Sequence, residues 1–254
     1  EPGEYRVDIA AGWSIGGGHA NGGYVLSVCL QALRNRLDRP DPLVVSAFYQ
    51  RRVPIGPALI RTEPARAGRR LATGEARLLG SEPDGAAGGE LVRVVASFTD
   101  LSTASGRTTV LSPAPQLPPP ADCQPLYGEQ AELPNGIGRR LECRVAELPG
   151  WRQGTPSGQA LLECWIRFAD GHPADTLALP GLTDMVIPAV FDLGEYRTTT
   201  IELTAHVRAR PAPGWLAFRA RTNYLIDGYH EEDVEIWDST GQLVAQSRQL
   251  ALLG

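Results

Sequence analysis

The segment Val25-Leu-Ser-Val-Cys-Leu-Gln-Ala-Leu-Arg-Asn-Arg-Leu37 places Leu26, Cys29, Leu30, Leu33 and Leu37 at helical spacing, and Val25, Val28 and Ala32 widen the stripe beyond one covered face. A helix apolar on so many sides has to be wrapped by something else. It is preceded by Gly16-Gly-Gly-His-Ala-Asn-Gly-Gly-Tyr24, in which Asn21 is a candidate N-cap. Gly22 and Gly23 strip side chains from the first turn, where backbone N–H groups have no intrahelical partner. Bare donors there can hold an anion or a polarised carbonyl oxygen. The same glycines equally let another segment pass close to the helix.

The chain around this helix supplies strands. Residues 5–15 read as a strand and turn, and the helix stops before Pro40 and Pro42. Strand-like runs follow at 43–53, 58–66, 70–79 and 90–100, separated by Pro54-Ile-Gly-Pro57, Ala67-Gly68 and a glycine-rich stretch at 81–89. From 101 to about 130 the composition turns to Ser, Thr and Pro around Pro118-Pro-Pro120, as in a linker. The order then repeats, with strands at 140–148 and 159–169, an apolar helical stretch at 173–191, and strands at 198–210, 215–225, 231–238 and 242–252.

The ends of the two halves also match, Glu90-Leu-Val-Arg-Val-Val-Ala-Ser-Phe98 against Gln242-Leu-Val-Ala-Gln-Ser-Arg-Gln-Leu250. The expected architecture is α+β: tandem units at 1–105 and 134–254, joined by a Pro-rich linker at 106–133, each a long antiparallel sheet curled round an apolar helix. That arrangement is a double hotdog.

Composition narrows the function classes. A chain of 254 residues can bury a core in each unit, and its formal net charge of -5, with arginine as the only strongly basic residue, argues against a nucleic-acid partner. Cys29, Cys123, Cys143 and Cys164 show no CxxC or His/Cys pairing and read as reduced, buried thiols. The sequence shows neither a leader pattern nor an apolar run of membrane-spanning length, so a soluble, cytoplasmic protein is expected.

Several motifs fail on context. Gly12-Trp-Ser-Ile-Gly16 has the spacing of a nucleophile elbow, but a glycine run rather than a helix follows Ser14, and no parallel sheet precedes it. The run 16–23 lacks the last glycine of a dinucleotide fingerprint, and a chain without lysine has no P-loop. His230-Glu-Glu-Asp233 offers alternating neighbours on a strand with no second ligand cluster, and reads as a solvated strand start rather than a metal site.

Asp184, in Gly181-Leu-Thr-Asp-Met-Val-Ile187, is the informative acid, because a carboxylate in an apolar helical stretch is costly unless hydrogen-bonded or functional. The first half has no acidic residue between Asp8 and Asp38, so its helix cannot supply one. Gln249 sits in the last strand on an otherwise small or apolar face. Thr200 begins a strand in which simple alternation puts it with Glu202 and Thr204 on the polar side, against an inward role unless the strand bulges.

Order of elements and residues together resemble the double-hotdog acyl-CoA thioesterases of the thioesterase II type across nearly the whole chain. The resemblance rests on Gly22-Gly-Tyr-Val-Leu, Phe48-Tyr-Gln-Arg-Arg-Val-Pro54 with Gly56-Pro57, Ala67-Gly-Arg-Arg70, Ala96-Ser-Phe98, Thr183-Asp184, Thr200-Ile-Glu202 and Leu243-Val-Ala245 through Gln249. In that family an Asp on the second helix, a Thr at a strand start and a Gln in the final strand bind and activate the hydrolytic water. Residue by residue these fall on Asp184, Thr200 and Gln249. One departure is Pro180-Gly181 just before Asp184, which should kink or restart the helix and displace the carboxylate.

The resemblance implies hydrolysis of fatty acyl-CoA by Asp-activated water, within fatty acid metabolism, and a homo-oligomer such as a dimer of double hotdogs. Backbone N–H groups at Gly22, Gly23 and Tyr24 are the expected oxyanion and substrate-binding donors. No metal or organic cofactor is required. Two alternatives are a non-catalytic acyl-CoA-binding hotdog protein and a hotdog enoyl-CoA hydratase or dehydratase with His19 as base.

Overall fold

The computed structural model describes residues 3–16, 18–82, 86–128 and 136–254. Gly17 of the glycine run, 83–85 of the 81–89 stretch and 129–133 of the expected linker lie outside the described residues. The first half comprises β1 (Glu4–Ile9), β2 (Ser14–Ile15), β3 (His19–Ala20), α1 (Gly22–Leu37), β4 (Asp41–Tyr49), β5 (Gly56–Ala67), β6 (Ala72–Ser81) and β7 (Ala87–Thr99). The second comprises β8 (Gln124–Pro125), β9 (Leu141–Val145), β10 (Leu161–Phe168), α2 (Ala178–Leu182), β11 (Thr198–Val207), β12 (Leu216–Arg221), β13 (Leu225–Ile226), β14 (Tyr229–Trp237) and β15 (Leu243–Leu253).

All but β2 and β3 join one antiparallel sheet of order β1-β5-β6-β7-β4-β11-β15-β14-β12-β10-β9-β8, with β13 paired to β14. The two halves meet edge to edge where β4 pairs β11, and Ser46 and Thr204 share a 3.0 Å hydroxyl hydrogen bond across the seam. Each half curls round its own helix, which is the double-hotdog, α+β arrangement. Among the described residues no helix is long and apolar enough to cross a membrane.

Helix α1 forms as its pattern dictates. The Asn21 side chain accepts the Tyr24 N–H at 3.0 Å, and Asp38 ends the helix in the left-handed region. Val25, Leu26, Cys29, Leu30 and Leu33 are fully buried against Ile60, Leu78, Val94 and Phe98 of the surrounding sheet. At roughly 1.5–3 kcal/mol per buried aliphatic side chain, this stripe accounts for much of the first core.

The second half differs from expectation. The apolar stretch 173–191 is not one helix but the five-residue α2, a loop, and a 3-10 turn at Ala189–Leu193. Pro173, Pro180 and Pro188 divide it. Pro180 stands in the first turn of α2, where a missing N–H costs nothing. It therefore shortens the helix rather than kinking a long one. The remaining volume is filled by Leu179, Leu182, Met185 and Val186 packed on Leu141, Ile166, Phe218 and Ile236.

The expected linker is laid along the second half. Trp165 Nε1–H donates to Pro118 O at 2.8 Å, and Arg219 Nη1–H to Pro113 O at 3.1 Å. All four cysteines are free and buried, as their sequence context implied, and burial pushes the Cys29 thiol up to about 12.

Helices α1 and α2 cross through two glycines. A methyl group on Gly181 would lie within 2.5 Å of Gly23 O, and one on Gly23 would overlap the Gly181 carbonyl. The backbones touch because neither residue has a side chain. Gly181→Ala is therefore expected to force the helices apart at a cost of about 1–3 kcal/mol. For a chain of this size, thermal unfolding should show a fall in Tm of roughly 5 °C, whereas Gly16→Ala, with open space around it, should leave Tm unchanged.

Candidate active site

Asp184 follows α2 directly, and the glycine crossing sets it against the start of α1. Its backbone is held from the first half, since Asn21 Nδ2–H donates to Asp184 O at 2.9 Å while Asn21 Oδ1 caps α1. One buried amide thus fixes both the helix start and the acid. The carboxylate rests on the bare Cα of Gly22, where a methyl group would stand 2.8 Å from Asp184 Oδ2 and 3.1 Å from Tyr49 Cε1. Tyr49, from the end of β4, donates its hydroxyl to Gly22 O at 3.1 Å.

This enclosure changes the acid. Desolvation pushes the Asp184 carboxyl up to about 7, although the neighbouring Gly23 N–H opposes the shift. Burial raises the Tyr49 hydroxyl well above its ordinary value, and the Asp184 charge adds to that.

Thr200 faces inward because β11 bulges. Thr200 pairs Ala251 and Glu202 pairs Leu250, which leaves Ile201 as an extra residue, 36% exposed. Beyond the bulge Leu203, Ala205 and Val207 line the core; before it, parity flips and Thr198 and Thr200 turn in. Thr200 Oγ1–H donates to Gln249 Oε1 at 3.0 Å. Gln249, 4% exposed on β15, donates from Nε2 to Glu232 Oε1 at 3.1 Å.

Glu232 is the residue that the motif reading missed. His230 and Glu232 are 0% and 3% exposed, not a solvated strand start. The inward alternation His230, Glu232, Val234, Ile236 was present in the sequence, with its last two members apolar. Glu232 Oε2 accepts the Ala189 N–H at 2.6 Å, and desolvation together with the Asp184 charge pushes the Glu232 carboxyl up to about 8. His230 bonds Thr198 Oγ1 through Nε2 at 2.7 Å, and burial lowers its proton affinity. Among the described residues no His, Cys, Asp and Glu side chains group as metal ligands.

The structure therefore brings Thr200, Gln249 and Glu232 into one hydrogen-bonded chain and places Glu232 within electrostatic range of Asp184. The helix-start amides divide. Tyr24 N–H is taken by Asn21, and Gly23 N–H lies close enough to Asp184 to favour its ionised form, which leaves Gly22 N–H without a partner among the described residues. His19 lies on β3, bridged to Pro54, with Nδ1 buried and unpartnered among the described residues.

Along α1 a mainly apolar cleft of about 510 Å³ is lined by Trp13, Tyr24, Val28, Phe168, Leu177 and Met185, with Arg6, Gln31, His172 and Asp175 also on its walls. Trp13 stacks on Tyr24 with ring centroids 5.1 Å apart and takes the edge of Phe168 at 6.2 Å. Met185, next to Asp184 in the chain, is part of this lining.

Comparison with known proteins agrees with this architecture. The family model described as the acyl-CoA thioesterase N-terminal domain matches residues 9–99, and that of the C-terminal domain matches residues 120–253. The thioesterase-like protein TwmA of Talaromyces wortmannii is 25% identical over 305 residues, spanning 98% of this chain and 87% of its own length. A solved structure described as a thioesterase II from Thermobifida fusca YX superimposes with a TM-score of 0.87 at 29% identity, covering 100% of this chain and 93% of that one. The acyl-CoA thioesterase II TesB2 of Mycobacterium marinum shares the fold, with a TM-score of 0.71 at 18% identity over 100% and 94% of the two chains.

Fold and relatives define the class, a double-hotdog thioester hydrolase. The chain belongs to the acyl-CoA thioesterase family.

The raised Asp184 carboxyl has a consequence for stability. Between the unfolded value, near 4, and the folded value of about 7, the folded state binds more protons, so this contribution is full below about pH 4 and lost as pH rises through about 7. Asp184→Asn stays neutral throughout. It should melt above the wild type by a few °C at about pH 8, with the gap closing toward about pH 4 in scanning calorimetry. A pH-independent difference would mean the carboxyl is solvated.

Proposed function

We propose that this enzyme hydrolyses the thioester of fatty acyl-CoA, with Asp184 as the general base that activates water. The observation that carries the reading is a carboxyl group pushed up to about 7, held against the bare start of α1 and within electrostatic range of Glu232 at the end of the Thr200–Gln249–Glu232 chain. A base whose pKa lies near ambient pH is both ionised often enough and basic enough to take a proton in the transition state.

In this mechanism the water oxygen attacks the thioester carbonyl carbon while Asp184 takes one of its protons. The tetrahedral oxyanion then re-forms the carbonyl, the C–S bond breaks, and Asp184 returns the proton to the departing thiolate sulfur. The products are the free acid and the CoA thiol. Thr200 and Gln249 hold the water in line. Gly22 N–H, the helix-start amide left over by the capping arrangement, stabilises the oxyanion. The acyl chain takes the cleft beside α1, where Trp13, Tyr24, Val28, Phe168, Leu177 and Met185 offer apolar surface for a hydrocarbon and Arg6, His172 and Asp175 supply polar wall.

Release of free thiol from a panel of acyl-CoA esters tests this. Asp184→Asn should lower kcat/KM by roughly 10²–10⁴-fold, the range for loss of a positioned base. Thr200→Val and Gln249→Ala should each cost about 10-fold or more, chiefly in kcat. Hydrolysis unchanged in Asp184→Asn across the panel would sink the assignment.

A further inference from the structure

We infer that Glu232 is a positioning residue for the hydrolytic water: by facing Gln249 with a carboxylate, it dictates which end of that amide meets Thr200. The inference rests on the reading of Asp184, Thr200 and Gln249 as the water-binding set.

The argument is one of hydrogen-bond polarity. Glu232 and Gln249 stand directly opposite each other on β14 and β15, both turned into the core. Glu232 spends both oxygens as acceptors, Oε2 on Ala189 N–H at 2.6 Å and Oε1 on Gln249 Nε2–H at 3.1 Å. An ionised carboxylate has nothing to donate. The amide is therefore held with its NH2 group toward Glu232 and its carbonyl Oε1 toward Thr200.

Thr200 has one hydroxyl hydrogen and gives it to Gln249 Oε1 at 3.0 Å. What remains at Thr200 Oγ1 is acceptor capacity. A water lying between Thr200 and Asp184 then donates both hydrogens, one to each, and keeps a lone pair for the carbonyl carbon. With the polarity reversed, the amide turns its NH2 to Thr200. The threonine hydrogen is then free to bind the lone pair that should attack.

Protonation of Glu232 would permit that reversal, because a carboxylic acid can donate to the amide oxygen. The groups facing Glu232 are Asp184 after α2, whose charge opposes its ionisation, and the Ala189 and Gln249 N–H donors, which favour it. Asp233 on the same strand also opposes ionisation, but points outward and is paired with Arg248 at 2.6 Å. His230, two residues away on the inward side, is held toward its neutral form by burial. The Asp184 and Glu232 carboxyls are both pushed up by burial and oppose each other's ionisation, and the productive state has both ionised.

The test is acyl-CoA hydrolysis by the full chain across the neutral and alkaline range, with kcat and KM separated. In the wild type, log kcat/KM should fall on the acid side with a limiting slope of about two; in Glu232→Gln the slope should drop to about one. Glu232→Gln should lose about 10-fold or more in kcat with KM within about 2-fold. In a Thr200→Val background the same substitution should cost little more, since Glu232 acts through that pair.

A Glu232→Gln enzyme with wild-type kcat and slope, or losses that simply multiply in the double variant, would overturn the inference. Should Glu232→Gln fail to fold, a wild-type acid limb of slope about one overturns it alone. If Asp184→Asn stays active, the water-binding reading itself fails; if Asp184→Asn is dead and Glu232→Gln unaffected, only the role of Glu232 does.

Discussion

The backbone contact between Gly23 and Gly181 is the constraint on which the rest of the structure depends. It brings the start of α1 and the end of α2 closer than any pair of side-chain-bearing residues allows. Asn21 then reaches across to the Asp184 carbonyl while it caps α1. The acid is consequently placed by the other half, through the Asn21 side chain and the bare backbone of Gly22 and Gly23. A carboxylate packed on a bare Cα and beside Tyr49 loses part of its water, and desolvation moves its proton affinity into the neutral range.

The sheet contributes the second part of the site through a departure from its own regularity. Without Ile201 as an extra residue, the alternation that buries Leu203, Ala205 and Val207 would carry Thr200 to the outer face. The bulge trades one exposed isoleucine for an inward hydroxyl beside Gln249. A buried and a half-buried carboxyl group in electrostatic range of each other are expensive to ionise together, and Glu232 is made tolerable by two N–H donors.

Much of the architecture was legible because it rests on local periodicity. The apolar faces of 25–37, the alternating strands and the repeated strand ends led to two sheet-wrapped helices, and the observed strand order has that form. The second helix was overestimated, because apolar composition at 173–191 signals burial and not helicity; its three prolines were the better guide. Glu232 was passed over for a related reason. Three acids in a row suggest solvent, whereas the period of two that continues into Val234 and Ile236 already put the middle one inside.

By itself the sequence determined the fold class, the all-round burial of α1, the Asn21 cap and the buried state of the cysteines, since each follows from spacing or chemistry within a few residues. Only the tertiary structure decided which helix-start amides are already used, that α2 is one short turn-and-a-half, and that Thr200, Gln249 and Glu232 form one directed chain. These depend on residues far apart in the chain meeting across a helix crossing and a bulged strand. No local pattern encodes such meetings, because the close approach of two glycines and a one-residue shift in register are properties of the assembled pair of halves.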